Sequence, residues 1–320
     1  MKGWQLLDEK GELGFRDFVV SDQGGTTVSI QASALNHRDV WIQKGLYPGV
    51  KPGIILGSDG AGILNGKDVI INPGFSWGDN ERCQSGVFQI LGVPGHGTFA
   101  DSCNVSKEYI YPKPDHLTVF QAAALPLAGV TAYRSLFSRG QTTSGDTVLI
   151  NGLGGGVALL ATQMALAIGC NVIGTTGSEW KEEKALQLGV SKIYNYRDVD
   201  WAKKCLKEVG GADVIIDSAG GKGFNNLLKV ARPGGRIVTY GGTTGKITEI
   251  SPQIIFWKQL SVLGSTMGSN QDFNDMLDFI SNYKIEPIID EIIPLSEIIR
   301  GFRKMEEGTQ FGKLVFDHSA

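Results

Sequence analysis

The sequence predicts an α/β chain in which a doubly wound parallel sheet is inserted into a β-rich, barrel-like domain. Three observations predict it. Residues 146–169, DTVLINGLGGGVALLATQMALAIG, read as a buried strand, a glycine turn and an apolar helix. After them, short β-rich and helical runs alternate as far as residue 265, the order that builds a parallel sheet covered on both faces. Before them, the first third carries short strands broken by Gly, Pro and Asn, as in TVSIQASALN, DVIINPG and GTFADSCNV, a barrel-like composition.

The turn comes first because it carries chemistry. Thr147 to Ile150 form the strand, Gly152, Gly154, Gly155 and Gly156 the turn, and Val157 to Ile168 a helix closed by Gly169. Backbone N–H groups at such a helix start point at a pyrophosphate, and the glycines let it approach. The spacing fits Gly152-x-x-Gly155-x-x-Ala158, with Val157 where G-x-G-x-x-G would place its third glycine. Gly152, Gly155, Gly156 and Val157 are the expected phosphate contacts; an ordinary strand-to-helix turn is the alternative. Asn171–Thr176 supplies the second strand, and a helix from Trp180 to Leu188 ends at Gly189. Further strands are expected at 192–196, 212–217, 234–242 and 260–265. The run VIID is apolar up to Asp217, as a strand buried on both faces should be. An NAD site places a carboxylate near the tip of the second strand, to bond the ribose hydroxyls. This chain has Thr175, Thr176, Gly177 and Ser178 there. Ser178, Lys181, Tyr196 and Arg197 are placed to bond a 2′-phosphate, so NADP(H) is expected over NAD.

Composition sets the outer limits. A length of 320 residues suggests two domains: a β-rich domain of residues 1–118 plus 285–320, and a nucleotide domain of residues 119–284. The 44 glycines are roughly double the usual share of about 7%, which suits many strand-to-helix turns. A net charge of −3 speaks against nucleic acid and anionic membranes. No apolar run approaches the roughly 20 residues of a bilayer span. The first ten residues are polar and mixed, so a cytoplasmic protein is expected. Cys83, Cys103, Cys170 and Cys205 are far apart, as free thiols in that compartment would be.

Ordered motifs run nearly the whole chain: ALNHRDVWIQKGLYPG (34–49), ILGSDGAG (55–62), GTFADSCNV (97–105), AAALPLAGVTAYRSL (122–136), VLINGLGGGVA (148–158), VIIDSAGG (214–221), GGRIVTYGG (234–242) and FGKLVF (311–316). In them the chain resembles the medium-chain dehydrogenase/reductase superfamily, in its zinc-free quinone-reductase-like branch, and looks similar to bacterial zinc-type alcohol dehydrogenase-like proteins. The resemblance implies a Rossmann domain inserted in a GroES-like domain. It implies cofactor contacts at Thr131, Ser218, Tyr240, Gly241, Phe311 and Lys313, and a homodimer paired through sheet edges, with LSVLGSTMG (260–268) as the candidate edge. Asp39 and Asp59 resemble structural acids of the family.

The zinc dehydrogenases of that superfamily bind catalytic zinc through Cys, His and Cys, with an open fourth position. In this sequence those ligands would fall at Asn36, Ser58 and Ala128, none of which is a thiolate or imidazole. Cys83 stands alone where a four-cysteine lobe would be. His37, His96 and Cys103 match no metal-binding spacing, so no metal is expected. Without a Lewis acid, hydrogen bonds must stabilise the charge that builds on a reduced oxygen. That suits acceptors that delocalise charge, so the expected activity is NADPH-dependent reduction of a quinone or an α,β-unsaturated carbonyl. Asn36 and Tyr47 are the expected donors to the substrate oxygen; a turn amide and a hairpin aromatic are their structural alternatives. A zinc-free alcohol or aldehyde oxidoreductase remains open, as does a weakly catalytic, crystallin-like NADP-binding protein. Short-chain reductase chemistry is excluded by order, since Tyr109 and Lys113 precede the glycine turn.

Overall fold

Strands β1 (Lys2–Leu6) and β2 (Leu13–Asp17) form an antiparallel pair. The computed structural model describes residues 1–19 and 24–319. Strand β3 (Thr26–Ala34) alternates buried and exposed residues over its first half, the period-two pattern of a sheet with one face on the core. Helix α1 (His37–Gln43) follows, then β4 (Asp59–Leu64), β5 (Lys67–Ile71), β6 (Gly74–Phe75), β7 (Gln89–Ile90), β8 (Ser102–Val105) and β9 (Ile110–Pro112). Helices α2 (Val119–Ala124) and α3 (Pro126–Tyr133) close this half.

Next come β10 (Thr147–Asn151), α4 (Gly156–Ala167), β11 (Asn171–Thr176), α5 (Glu179–Gln187), β12 (Lys192–Asn195), α6 (Trp201–Val209), β13 (Ala212–Asp217), α7 (Phe224–Val230), β14 (Ala231–Thr239), α8 (Pro252–Lys258) and β15 (Ser261–Gly264). Helix α9 (Asn270–Tyr283), β16 (Ile289–Pro294), α10 (Ile298–Glu307) and β17 (Lys313–Asp317) complete the chain.

The chain divides into a first unit, Met1–Ala128 with Ser269–Ala320, and a second, Gly129–Gly268. Residues 119–128 and 269–284, read from sequence as part of the nucleotide domain, therefore lie with the first unit. The reason for α9 is visible in its packing. Phe273 is fully buried and its ring lies 4.9 Å from that of Tyr111, and Asn270 accepts from the Asn72 amide at 3.1 Å. From the sequence alone no helix is named here, only a domain boundary at 284.

In the first unit one sheet runs β16-β17-β3-β4-β5-β9, with β8 also on β3. Its core packs Leu35, Ile42, Ile55, Phe99, Phe302 and Phe316, all nearly inaccessible. The second unit holds a six-stranded sheet in the order β12-β11-β10-β13-β14-β15, with every neighbouring pair parallel. This is the doubly wound Rossmann order, which opens a ligand site at the carboxyl ends of the strands where the order reverses. Strands β10, β11 and β13 are buried on both faces. No helix among the described residues is long and apolar enough to cross a membrane.

One glycine ties this packing to the turn. A Cβ at Gly174, in β11, would stand 2.2 Å from Leu153 Cδ1 and 2.9 Å from its Cγ. Leu153 sits in the turn, is 4% exposed, and donates its N–H to Thr175 O at 2.8 Å. Gly174→Ala is expected to lower stability by about 1–3 kcal/mol, the usual cost of overpacking. It should also weaken dinucleotide binding by moving Leu153. Urea denaturation and a cofactor titration check both; an unchanged midpoint would refute the packing argument.

Candidate functional site

The second unit builds its site from strand ends. Asn151, Thr175 and Asp217 end or nearly end the adjacent parallel strands β10, β11 and β13. The Asn151 amide donates to Asp217 Oδ1 at 2.7 Å, Thr175 Oγ1 donates to Asn151 Oδ1 at 2.7 Å, and Gly152 N donates to Thr175 Oγ1 at 3.0 Å. Asp217 also accepts from the N–H groups of Ala219 and Gly220. This chain of bonds clamps the start of the glycine turn onto three strands.

The turn itself needs glycine. Gly152 and Gly154 have φ of +84° and +128°, backbone that side chains rarely adopt. A Cβ at Gly155 would meet nothing within 4 Å. Gly155 caps α4 with no side-chain bond, so the N–H groups of Gly156, Val157 and the next residue keep the orphan donors of a helix start. These are the features a pyrophosphate requires. Ser218, Tyr240 and Gly241 stand nearby: the Tyr240 hydroxyl bonds Ser218, and a Cβ on Gly241 would lie 2.9 Å from Ser218 O. Burial, first, and the Asp217 charge push the Tyr240 hydroxyl well above the usual phenol range. Thr131 lies in α3 and is 5% exposed.

At the end of β11 several polar groups meet. A Cβ at Gly177 would lie 2.6 Å from the Tyr196 hydroxyl and 3.0 Å from Arg197 Nε. A Cβ at Gly154 would lie 3.3 Å from Lys181 Nζ, and that ammonium also lies over the Trp180 ring at 5.3 Å. Ser178 starts α5 without using its side chain as a cap. Of the residues that the sequence offered for a 2′-phosphate, Tyr196 and Arg197 thus lie against Gly177, next to Ser178, and Lys181 lies against Gly154 in the glycine turn.

The first unit holds a buried polar cluster. Lys313 Nζ bonds Leu35 O at 3.0 Å, Asn36 Oδ1 at 2.7 Å and Asp59 Oδ2 at 2.9 Å. The Asn36 amide donates to Asp59 Oδ2 at 2.9 Å, and Leu127 N donates to Asp59 Oδ1 at 2.7 Å. Asp39 accepts from Asn36 N at 2.9 Å. Burial pushes the Asp39 carboxyl up to about 6, against the pull of the neighbouring Arg38. Arg38 Nη1 donates to Ser58 Oγ and, at 2.8 Å, to Leu91 O, and its guanidinium lies 4.9 Å from the centre of the half-buried Tyr47 ring.

The structure bears on three of the sequence readings. Lys313 has all three ammonium donors taken inside the first unit, which speaks against its reading as a cofactor contact. Asn36 gives its oxygen to Lys313 and one amide N–H to Asp59, which leaves only its second N–H for a substrate. Phe311 is 4% exposed and gives its N–H to Asp290 at 2.9 Å.

A family model described as the alcohol dehydrogenase GroES-like domain matches residues 22–115, and one described as zinc-binding dehydrogenase matches residues 156–282. The chain is 34% identical to the zinc-type alcohol dehydrogenase-like protein YogA of Leptosphaeria maculans, over 91% of this chain and 89% of that one. The chain belongs to the medium-chain dehydrogenase/reductase superfamily. It lies in the quinone oxidoreductase-like branch: mouse quinone oxidoreductase is 31% identical over 90% of this chain and 87% of its own. A crystal structure of an NAD-dependent alcohol dehydrogenase superposes with a TM-score of 0.93 at 34% identity, covering 99% of both chains.

Membership makes the chain an NAD(P)-dependent oxidoreductase, and the glycine turn fits a nicotinamide dinucleotide on its own geometry. The superfamily's zinc-ligand positions fit zinc poorly. Asn36 and Ser58 are neutral and held by internal bonds, Ala128 has no donor atom, and the four cysteines are free. Nothing around the first two positions announces that each is bonded to a cation, Asn36 to Lys313 and Ser58 to Arg38.

Lys313→Met is expected to cost about 3–5 kcal/mol, because it leaves the Asp59 carboxylate buried and unpaired. The double variant with Asp59→Asn should recover part of that loss. Chemical denaturation of the single and double variants checks this; a Lys313→Met variant as stable as the parent would show that the pair contributes nothing.

Proposed function

We propose that the chain is an NADPH-dependent, zinc-independent reductase that delivers hydride to a quinone or an α,β-unsaturated carbonyl. The observation that carries the reading is the replacement of the ligand set by Asn36, Ser58 and Ala128, two of them locked to fixed cations. Bound NADPH supplies the hydride; the chain's own residues hold the cofactor and the acceptor oxygen. The N–H groups of Gly156, Val157 and the next residue take the pyrophosphate. Ser178, Lys181, Tyr196 and Arg197 take the 2′-phosphate where an NAD site would carry a carboxylate. Tyr47 is kept as a donor to the acceptor oxygen. The likeness to mouse quinone oxidoreductase supports the acceptor class.

A second reading is oxidation of an alcohol with NAD, favoured by the likeness to the solved NAD-dependent alcohol dehydrogenase. The proposal also takes the protein to be a cytoplasmic homodimer. Its support is β15, the last strand of its sheet, with one neighbour and Val262 40% exposed. The acidic balance argues against an RNA-binding role.

A panel assay decides between the readings: NADPH and NADH oxidation against quinones, enones and aldehydes, and NAD(P) reduction by alcohols. Turnover of a quinone or enone with NADPH, by protein free of stoichiometric zinc, is the expected result. Lys181→Ala should weaken NADPH about tenfold or more, as loss of a charge-assisted bond does, and leave NADH nearly unchanged. Turnover of alcohols with NAD alone would overturn the reading.

A further inference from the structure

Two of the positions where zinc ligands would lie are bonded to cations, Asn36 to Lys313 and Ser58 to Arg38, and the two cations differ in one respect. Lys313 has every donor satisfied. Arg38 does not: its Nη1 is anchored by Ser58 Oγ and Leu91 O, while Nε and Nη2 are buried with no hydrogen-bond partner among the described residues. Ser58 Oγ in turn donates to Leu91 O at 2.8 Å, so the anchor is itself fixed. The Tyr47 ring lies against the guanidinium. Buried, unpaired donors on a charged group are costly, and a guanidinium presents its remaining N–H groups in a rigid plane suited to an oxygen anion.

We propose that Arg38 is a catalytic residue, whose Nε and Nη2 receive the acceptor's oxygen in the place that the zinc enzymes of the superfamily give to their metal. The proposal rests on the reductase reading above. In reduction of an enone, hydride from NADPH adds to the β-carbon, the carbon–carbon π pair moves toward the carbonyl, and the oxygen becomes an enolate. The guanidinium holds that oxyanion and keeps its own protons. A proton from water then adds at the α-carbon to give the saturated carbonyl and NADP⁺.

The test uses the full chain saturated with NADP⁺ and 4-nitrophenol as an oxyanion probe, beside steady-state kinetics with an enone and NADPH. Wild-type protein is expected to bind the probe as the coloured phenolate and to lower its apparent pKa. Arg38→Met should bind it at least tenfold more weakly, without that shift. The same variant should lose about 10²–10³ in kcat, as for removal of an oxyanion donor, with a smaller change in KM. If Arg38→Met does not fold, Arg38→Gln, which removes the charge and keeps a polar amide, is expected to show the same losses. A folded variant of either kind with unchanged probe binding and unchanged kcat overturns the proposal. If the wild type reduces neither quinones nor enones, the reductase reading fails by itself; Arg38-dependent phenolate binding then still supports an oxyanion site.

Discussion

The first unit depends on one buried ion pair, Lys313 with Asp59. The two side chains are 4% and 0% exposed, and burying two charges is favourable only if every donor and acceptor finds a partner. Here they do. Lys313 on β17 is held by Leu35 O, Asn36 and Asp59, and Asp59 on β4 also takes the N–H of Leu127. The pair therefore joins the C-terminal strand, an inner strand of the sheet, the residues before α1 and the first turn of α3. Asn36 joins the same cluster, giving its oxygen to Lys313 and an N–H to Asp59, so a residue expected at the substrate also helps to hold the pair.

The second unit uses a different device for the same purpose. Its central strands β10, β11 and β13 are apolar on both faces over most of their length, so little polar is available there until the strands end. There Asn151, Thr175 and Asp217 lie in register on adjacent parallel strands and bond one another. A glycine turn has little stiffness of its own; this polar row gives it a fixed starting point, and Gly174 leaves room for Leu153 to seat its middle. Preorganised N–H groups then cost little to bring to a phosphate.

The legible parts of the molecule were those encoded locally. Strand, glycines and apolar helix sit within 24 consecutive residues, and the strands of the parallel sheet fell within a few residues of their expected bounds. The polar groups proposed for a 2′-phosphate could be named together because Thr176–Ser178 and Tyr196–Arg197 end neighbouring strands, and parallel topology brings strand ends together. What stayed hidden depends on pairing across the chain. Nothing near Lys313 announces Asp59, and an Arg beside an Asp in a short helix looks like a solvated pair until Ser58 and Leu91 are placed against it. The one available signal was chemical: a position that has lost a metal ligand still has to satisfy the polar groups around it, and a nearby basic residue is the simplest way.

The sequence separation of the buried pair has a consequence for biosynthesis. Asp59 and Lys313 are 254 residues apart, whereas the second unit is one uninterrupted stretch, Gly129–Gly268. During translation the nucleotide-binding unit can emerge whole and close its core while the first unit still lacks β16, α10 and β17. Until Lys313 leaves the ribosome, the Asp59 carboxylate has no counter-ion and must stay hydrated, so the strands around it cannot seal. Domains generally fold as units, and here the strands that precede the second unit are completed only by β17, which follows it and acts as their latch. Loss of β17 would thus be felt at β3 and β4, as exposed strands available to chaperones and proteases.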